Sequence, residues 1–189
     1  MIKINQYSDI HGWTTFEDLY LHVYNQLPQK AHIIEIGCWK GRSAAFMATL
    51  IKQGPKDITF DCIDTWKHFH ADVEKAGGSL VGEFTSNIEQ LGLLSNINIL
   101  QLDSLKAHKL YDDDTIDFIF LDTDHLYLQT LQEISHWVPK LKSGGLMGFD
   151  DYFNPDFPGV AKAVQEQLTI NTNIETYKAF PTSYLIKKL

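Results

Sequence analysis

HIIEIGCWKGRSAAFMATLIKQ, residues 32 to 53, reads as three pieces in succession. HIIEIG is nearly all apolar, the pattern of a strand buried on both faces. Gly37 and Gly41 then permit a tight turn and close backbone approach. SAAFMATLIKQ carries apolar residues at helical spacing. A strand, a glycine turn and a helix in this order place a helix N-terminus, with its unpaired N–H groups, at the strand's carboxyl end, where a polar or anionic ligand can bind. The spacing G-x-x-x-G differs from the dinucleotide pattern G-x-G-x-x-G, so a pyrophosphate is not the obvious guest.

The same alternation continues along the chain. ITFDCID (58 to 64), INILQLD (97 to 103), IDFIFLD (116 to 122) and GLMGFD (145 to 150) are further apolar runs separated by helix-length segments. Five such strands predict a parallel sheet and an α/β fold, with helices on both faces. EFTSNIEQLGLL, LYLQTLQEISHWVPKLK and PGVAKAVQEQL read as helices; Pro139 near the end of the second, and Gly144-Gly145 after it, form a stop signal. IETYKAF and SYLIKKL read as two strands joined by a short turn holding Pro181, which must be antiparallel because the link is too short for a crossover.

A chain of 189 residues is expected to form one domain, burying roughly 70% of the surface its unfolded form exposes. Residues 1–30 would be an N-terminal helical or lid segment, and residues 65–82, rich in aromatics, histidines and glycine, a substrate-lid loop. With 44% hydrophobic residues, the composition is that of a soluble globular protein. A net charge of −8 and the lack of a basic run argue against a nucleic-acid duplex as ligand. Cys38 and Cys62 are expected as two buried thiols, which suits a reducing cytoplasm. MIKINQYSDIHGW lacks the apolar core of a signal peptide, and no apolar run is long enough for a membrane span.

Ligands of an open α/β sheet sit outside the carboxyl ends of its strands. Strand one ends with Glu35, Gly37, Gly41 and Ser43 around its turn. Strand two ends in Asp64, whose carboxylate could accept hydrogen bonds from ribose hydroxyls or cap a turn. The same two readings apply to Asp103 and Ser104 after strand three. Asp122 ends strand four, and Asp150 and Asp151 end strand five. On neighbouring strands about 4.8 Å apart these carboxylates would repel unless a proton or cation neutralised them. All-oxygen ligation suits Mg²⁺ or another hard divalent cation.

His125, three residues past Asp122, could take a proton from a hydroxyl held there, or simply cap a helix start. Asp124 should point away if Asp122 points in, and His68 and His70 read as exposed loop residues. Trp39, Trp66 and Tyr152 border the same edge, where one could stack on an adenine or substrate ring. Trp137, inside a helix, reads as core, and His11 and Trp13 could fold over the site.

The set IIEIGCWKGRSAAFMA, FDCIDTW, LQLDS, FIFLDTDHLY, WVPKLKSGGLMGFDDY and PGVAKAV resembles, in that order, the class I S-adenosylmethionine-dependent methyltransferases. More narrowly it looks like the methyltransferase 24 type, related to metal-dependent sugar and macrolide O-methyltransferases and to cephalosporin-hydroxylase-like proteins. The resemblance implies a Rossmann-like, seven-stranded sheet in the order 3-2-1-4-5-7-6 with strand seven antiparallel.

It also implies a role for each of these positions. Glu35, Gly37, Trp39, Gly41 and Ser43 match the turn that holds the methionine part of S-adenosyl-L-methionine. Asp64, with Thr65 and Trp66 beside it, matches the acidic ribose ligand. Asp103 and Ser104 match the pair beside the adenine, and Asp122 borders the cofactor. Asp122, Asp150 and Asp151 match the metal ligands, and His125 falls where a general base can lie. The implied reaction is metal-assisted methylation of a hydroxyl on a small acceptor, sugar or natural-product-like, in a cytoplasmic enzyme that could be a homodimer. A non-catalytic S-adenosylmethionine-binding regulator is the alternative, and a nicotinamide-dependent oxidoreductase a third reading.

Overall fold

The computed structural model describes residues 5–67 and 79–189. Seven strands, β1 (Lys30–Ile36), β2 (Asp57–Asp64), β3 (Asn98–Gln101), β4 (Ile116–Leu121), β5 (Leu141–Phe149), β6 (Ile174–Ala179) and β7 (Tyr184–Lys188), form one sheet in the order β3-β2-β1-β4-β5-β7-β6. The first five are parallel, and β7 runs antiparallel to both β5 and β6. This is the Rossmann-like sheet order, with strand seven reversed, that the resemblance implies. Among the described residues six α-helices accompany the sheet: α1 (Glu17–Gln26), α2 (Arg42–Gln53), α3 (Leu80–Gln90), α4 (Ser104–Ala107), α5 (Tyr127–Trp137) and α6 (Pro158–Ile170).

Alternation along β1 divides the core in two, because successive side chains point to opposite faces. Ile33 joins Leu19, Tyr20, Met47 and Phe84 on the face covered by α1, α2 and α3. Ile34 and Ile36 join Ile119, Trp137, Val160 and Val164 on the other, under α5 and α6. Each large apolar side chain removed from water contributes about 1.5–3 kcal/mol. The apolar stripe of α2, Ala44, Ala45, Met47, Ala48 and Ile51, is what lays that helix on the sheet with its N-terminus at the carboxyl edge. Trp137 is fully buried, as expected. Both thiols, Cys38 and Cys62, are free and buried.

Two local expectations change. Gly144 and Gly145 lie inside β5, which starts at Leu141, directly after a short 3₁₀ turn at Val138–Lys140. The strand is irregular there, since its register against β4 shifts between Ile116 and Phe118. A side chain on Gly145 would meet the carbonyl oxygens of Lys142, Ile116 and Asp117 at 2.9–3.3 Å, so the glycine serves close strand approach rather than helix termination.

The helix expected at 83–94 begins earlier, at Leu80, with Ser79 as its N-cap accepting from Gly82 N at 3.1 Å. It therefore takes the last three residues of the expected lid, and His68 and His70 fall outside the described residues. The described part of the expected N-terminal helical or lid segment holds α1, whose Leu19 and Tyr20 are core. No helix among the described residues is long and apolar enough to cross a membrane.

Candidate functional site

The parallel register brings the carboxyl ends of β1, β2, β4 and β5 to one edge. Ile36 is paired with Ile63 on one side and Leu121 on the other, and Leu121 with Phe149. The next residues continue the ladder: Gly37 N donates to Ile63 O, Asp122 N to Ile36 O, and Asp150 N to Leu121 O, all at 2.9–3.0 Å. Asp122 and Asp150 therefore stand side by side.

Gly37 has φ +90°, and a Cβ there would lie 1.7 Å from the Asp122 carbonyl oxygen. Only glycine fits, because the turn presses against the end of β4. Gly41, at φ +89°, is the N-cap of α2 and offers no side-chain oxygen to the first-turn amides, which are left open to an anionic ligand. Asp64 fixes the turn from the side: its carboxylate accepts from the backbone N–H of Cys38, Trp39 and Trp66 at 2.7–2.9 Å. A carboxylate has about four acceptor positions, so one remains for a ligand hydroxyl.

Several other expected cofactor contacts have partners inside the protein. Glu35 is fully buried, and accepts from Tyr20 Oη at 2.8 Å and Ser43 Oγ at 2.6 Å. Burial pushes its carboxyl up to about 8 against the lowering effect of those two donors. Glu35 and Ser43 thus brace the turn from beneath. Ser104 Oγ donates to buried Glu133 at 2.6 Å, and Asp103 caps α4 by accepting from Leu105 N at 2.9 Å. Thr65 Oγ1 accepts from Lys67 N, and its carbonyl accepts from Gln101.

Trp66 presents no open stacking face: it is 3% exposed, packs on Phe84, and donates its indole N–H to Trp39 O. Tyr152 is stacked on Tyr184 at 4.2 Å. The ring of Trp39 is stacked on exposed Trp13 and touched edgewise by His11, so the N-terminal segment does fold over this edge.

On the β4–β5 side, Asp122, His125 and Asp150 offer ligand atoms that all lie within 4.8 Å of one another. His125 Nε2 is 3.3 Å from Asp122 Oδ1 and 3.6 Å from Asp151 Oδ2, yet it is buried and makes no hydrogen bond. Asp151 Oδ1 accepts from Asn154 at 3.0 Å, and Asp150 Oδ1 accepts from Ser183 Oγ at 3.3 Å. Burial pushes Asp150 up to about 7, helped by the carboxylates of Asp122 and Asp151. Asp122 is raised for the same reason, burial first.

For His125, burial works against the charged ring, but the carboxylates of Asp122, Asp151 and Asp150 outweigh it and raise its pKa. A ring nitrogen with no hydrogen-bond partner beside the carboxylates of Asp122 and Asp150 could hold a divalent cation. Asp124 is exposed.

Two features went unseen in the sequence. Ser183 reaches Asp150 because the β5–β7 pairing sets Tyr184 opposite Phe149. Glu133, in the apolar stripe of α5, gathers Ser104, Thr123 and Gln129, and an acidic residue at a buried helical position was its one visible signal.

Comparison with known proteins shows the family and the fold. The profile of the methyltransferase domain family matches residues 34–152, more than half of the chain. No curated protein matches. Among solved structures, cofactor-bound Rv0187 from MTB superimposes with a TM-score of 0.69 at 14% identity, covering 94% of this chain and 82% of that one. The O-methyltransferase NovP gives 0.67 at 20% identity, covering 92% and 78%. The SAM-dependent O-methyltransferase TM0748 from Thermotoga maritima gives 0.62 at 16%, covering 95% and 68%.

Proposed function

The chain belongs to the methyltransferase domain family, and from that premise we propose that it moves a methyl group from S-adenosylmethionine to a hydroxyl of a small molecule, sugar or natural-product-like, with a divalent cation's help. The observation that carries the reading is the junction of two half-sites on one edge. The uncapped α2 N-terminus and its glycine turn adjoin, through the Gly37–Asp122 contact, a partly buried group of two carboxylates and an imidazole whose Nε2 makes no hydrogen bond.

The roles follow from those positions. The first-turn amides of α2 hold the cofactor's carboxylate, the remaining acceptor position of Asp64 takes a ribose hydroxyl, and Asp122, Asp150 and Asp151 hold the cation. When bound, the cofactor supplies an electrophilic methyl and the cation acidifies the acceptor hydroxyl. His125 Nε2 would take the hydroxyl proton, which would free the acceptor oxygen for the methyl group that the bound cofactor supplies. The chain contributes alignment, since bringing two reactants together in line is worth several kcal/mol by itself. The whole chain acts as one methyltransferase domain.

One observation favours a second assignment for His125: a ring nitrogen and oxygens of Asp122 and Asp150 all lie within 4.8 Å of one another, and Nε2 makes no hydrogen bond, as suits a third ligand. Pulsed electron paramagnetic resonance of bound Mn²⁺ separates the two, because ¹⁴N coupling appears only if the imidazole ligates. The reaction itself is tested by calorimetry with S-adenosylhomocysteine and by transfer of labelled methyl into hydroxylated acceptors, with and without chelator. Cofactor binding with no product from any acceptor, and no effect of cation, would instead identify a non-catalytic binding protein.

A further inference from the structure

β6 closes one side of the sheet, and among the described residues no strand pairs its outer edge. Five of its six residues, Glu175 to Ala179, are exposed. The strand at the opposite edge, β3, is shorter, with four residues of which two are exposed. An unpaired edge is a row of open N–H and C=O groups, ready to pair with a further strand.

A bulge sets which groups of β6 point outward. Ile174, Glu175 and Thr176 lie opposite Lys188, Lys187 and Ile186, whereas Lys178 and Ala179 lie opposite Leu185 and Tyr184, so Tyr177 is the extra residue. Asn173 O accepts from Leu189 N and Ser183 O from Phe180 N, both at 2.8 Å. Hydrogen-bonded and open pairs alternate along an antiparallel ladder. Counting inward from those two bonds, Glu175 and Lys178 turn their backbone groups toward β7. Ile174, Thr176 and Ala179 turn theirs to the free edge, though Ile174 N is turned to Asn171 O at 3.5 Å.

The same bulge sets the faces. Glu175 sits opposite Lys187 and pairs with it at 3.5 Å, and Lys178 sits opposite Leu185, two residues back on β7. Side chains two apart on a strand share a face, so Glu175 and Lys178 share one too; three apart on a regular strand, they would not. Lys178 has no acidic partner among the described residues. Its ammonium lies 3.2 Å from His22 Nδ1 and over the Phe180 ring.

We propose that β6 is the docking edge for a second copy of this chain, joined antiparallel about a two-fold axis between Thr176 and Tyr177, so that one sheet runs through both protomers. In that register Ile174 faces Ala179 of the partner subunit, and open edge groups meet open edge groups. Glu175 faces Lys178 of the partner subunit on the same side of the sheet, and symmetry repeats the pair. Both pairs fall at open positions of the new ladder, where opposed side chains approach most closely. A slip of one residue in either direction ends both. A bulge commonly blunts an edge against pairing. Here the outward groups and the unlike charges fall into one register only because of it. The carboxyl edges of the two protomers point in opposite directions, which leaves each cofactor turn and acidic cluster outside the interface.

The test is sedimentation velocity of the full chain over a concentration series, with circular dichroism to confirm that each variant is folded. The wild type should reach twice the mass of the chain by about 500 μM, since an edge-to-edge contact lies at the small end of interface sizes. Lys178→Glu and Glu175→Lys each set like charges opposite one another and should weaken association about tenfold, while the chain carrying both should return to within about threefold of the wild type. A monomer at about 500 μM overturns the proposal. So does a dimer indifferent to both single reversals, or a double variant no better than the singles. A second measurement reads the register directly: a mixture of Glu175→Cys and Lys178→Cys chains, treated with oxidised glutathione, should form a disulfide-linked pair, and neither variant alone should. Cys38 and Cys62 are buried and do not compete. Linking as strong within either variant alone refutes the register.

Discussion

Replacing Asp150 with asparagine should make the cation-free protein more stable at pH 8 and nearly indifferent at pH 5. Asp150 is buried beside Asp122 and Asp151, and its carboxyl is pushed from 3.8 up to about 7. A carboxyl whose folded pKa is raised binds its proton more tightly in the folded chain, so folding is favoured at low pH. Stability then falls as pH rises from the unfolded value near 4 to the folded value near 7, and is level beyond. Of that window about two units lie between pH 5 and pH 8, and at about 1.4 kcal/mol per unit the loss is about 3 kcal/mol.

At this chain length 1 kcal/mol moves the melting temperature by about 2–4 °C, so the loss corresponds to on the order of 8 °C. His125 acts in the same direction, since its raised pKa gives stability at low pH that is lost as the imidazolium deprotonates. Asparagine cannot titrate, yet its Oδ1 can still accept from Ser183, so Asp150→Asn should flatten most of the slope without leaving that hydroxyl stranded. Scanning calorimetry at pH 5 and pH 8 in chelator reads the difference directly. Added Mn²⁺ at a hundredfold over its dissociation constant should return about 2.7 kcal/mol to the wild type at pH 8, and much less to the variant. Parallel melting curves for the two proteins in chelator, with equal response to Mn²⁺, would refute both the repulsion and the cation site.

Two further substitutions probe the cofactor half. Gly37→Ala drives a Cβ to within 1.7 Å of Asp122 O at a φ of +90°, so β1 and β4 must part and strain the hydrogen bonds from Asp122 N to Ile36 O and from Gly37 N to Ile63 O. The expected cost is about 3 kcal/mol or more, a drop of roughly 1.5 M in the urea midpoint. Gly144→Ala, at φ +81° with nothing within 4 Å of its Cβ, is the control and should cost only about 1 kcal/mol. Asp64→Ala strands the N–H groups of Cys38, Trp39 and Trp66, for which about 2–4 kcal/mol is expected, and should weaken S-adenosylhomocysteine at least tenfold in calorimetry.

The core strands were legible because burial on both faces leaves a mostly apolar run, and Asp64, Asp122 and Asp150 all fall where the ladder stops. What those polar residues do once there was less legible, since it depends on neighbours far apart in the chain. Glu35 looked like a ligand-facing acid because it precedes the glycine turn, but β1 alternation turns it inward, onto Tyr20 from α1 and Ser43 from α2. Trp66 looked like a stacking platform, yet Phe84 of α3 covers it. Gly144 and Gly145 looked like a helix stop because glycine marks a helix end and a strand irregularity alike, and only pairing distinguishes the two. In each case the residue type was read correctly, and its direction was set by a contact no local pattern encodes.

Backbone strain, invisible in the sequence, argues independently for the edge chosen here. Five non-glycine residues among those described have left-handed φ values: Trp39, Trp66, Asp114, His125 and Asp151. Four of them follow β1, β2, β4 and β5, one after each strand that reaches the site. Each such residue costs on the order of 1 kcal/mol or more, and a tryptophan has no local hydrogen bond to offset it. A chain selected for stability alone would place glycine or asparagine at these turns, as it places glycine at Gly92 after α3. The side chains kept in their stead are the ones that define the edge. Trp39 stacks with Trp13 over the cofactor turn, Trp66 N and Trp39 N both donate to Asp64, and His125 and Asp151 face each other across 3.6 Å. The strained residues are thus among those whose groups meet at this edge. Relieving the strain should therefore trade activity for stability: His125→Gly and Asp151→Gly would remove it and empty the cluster in the same step.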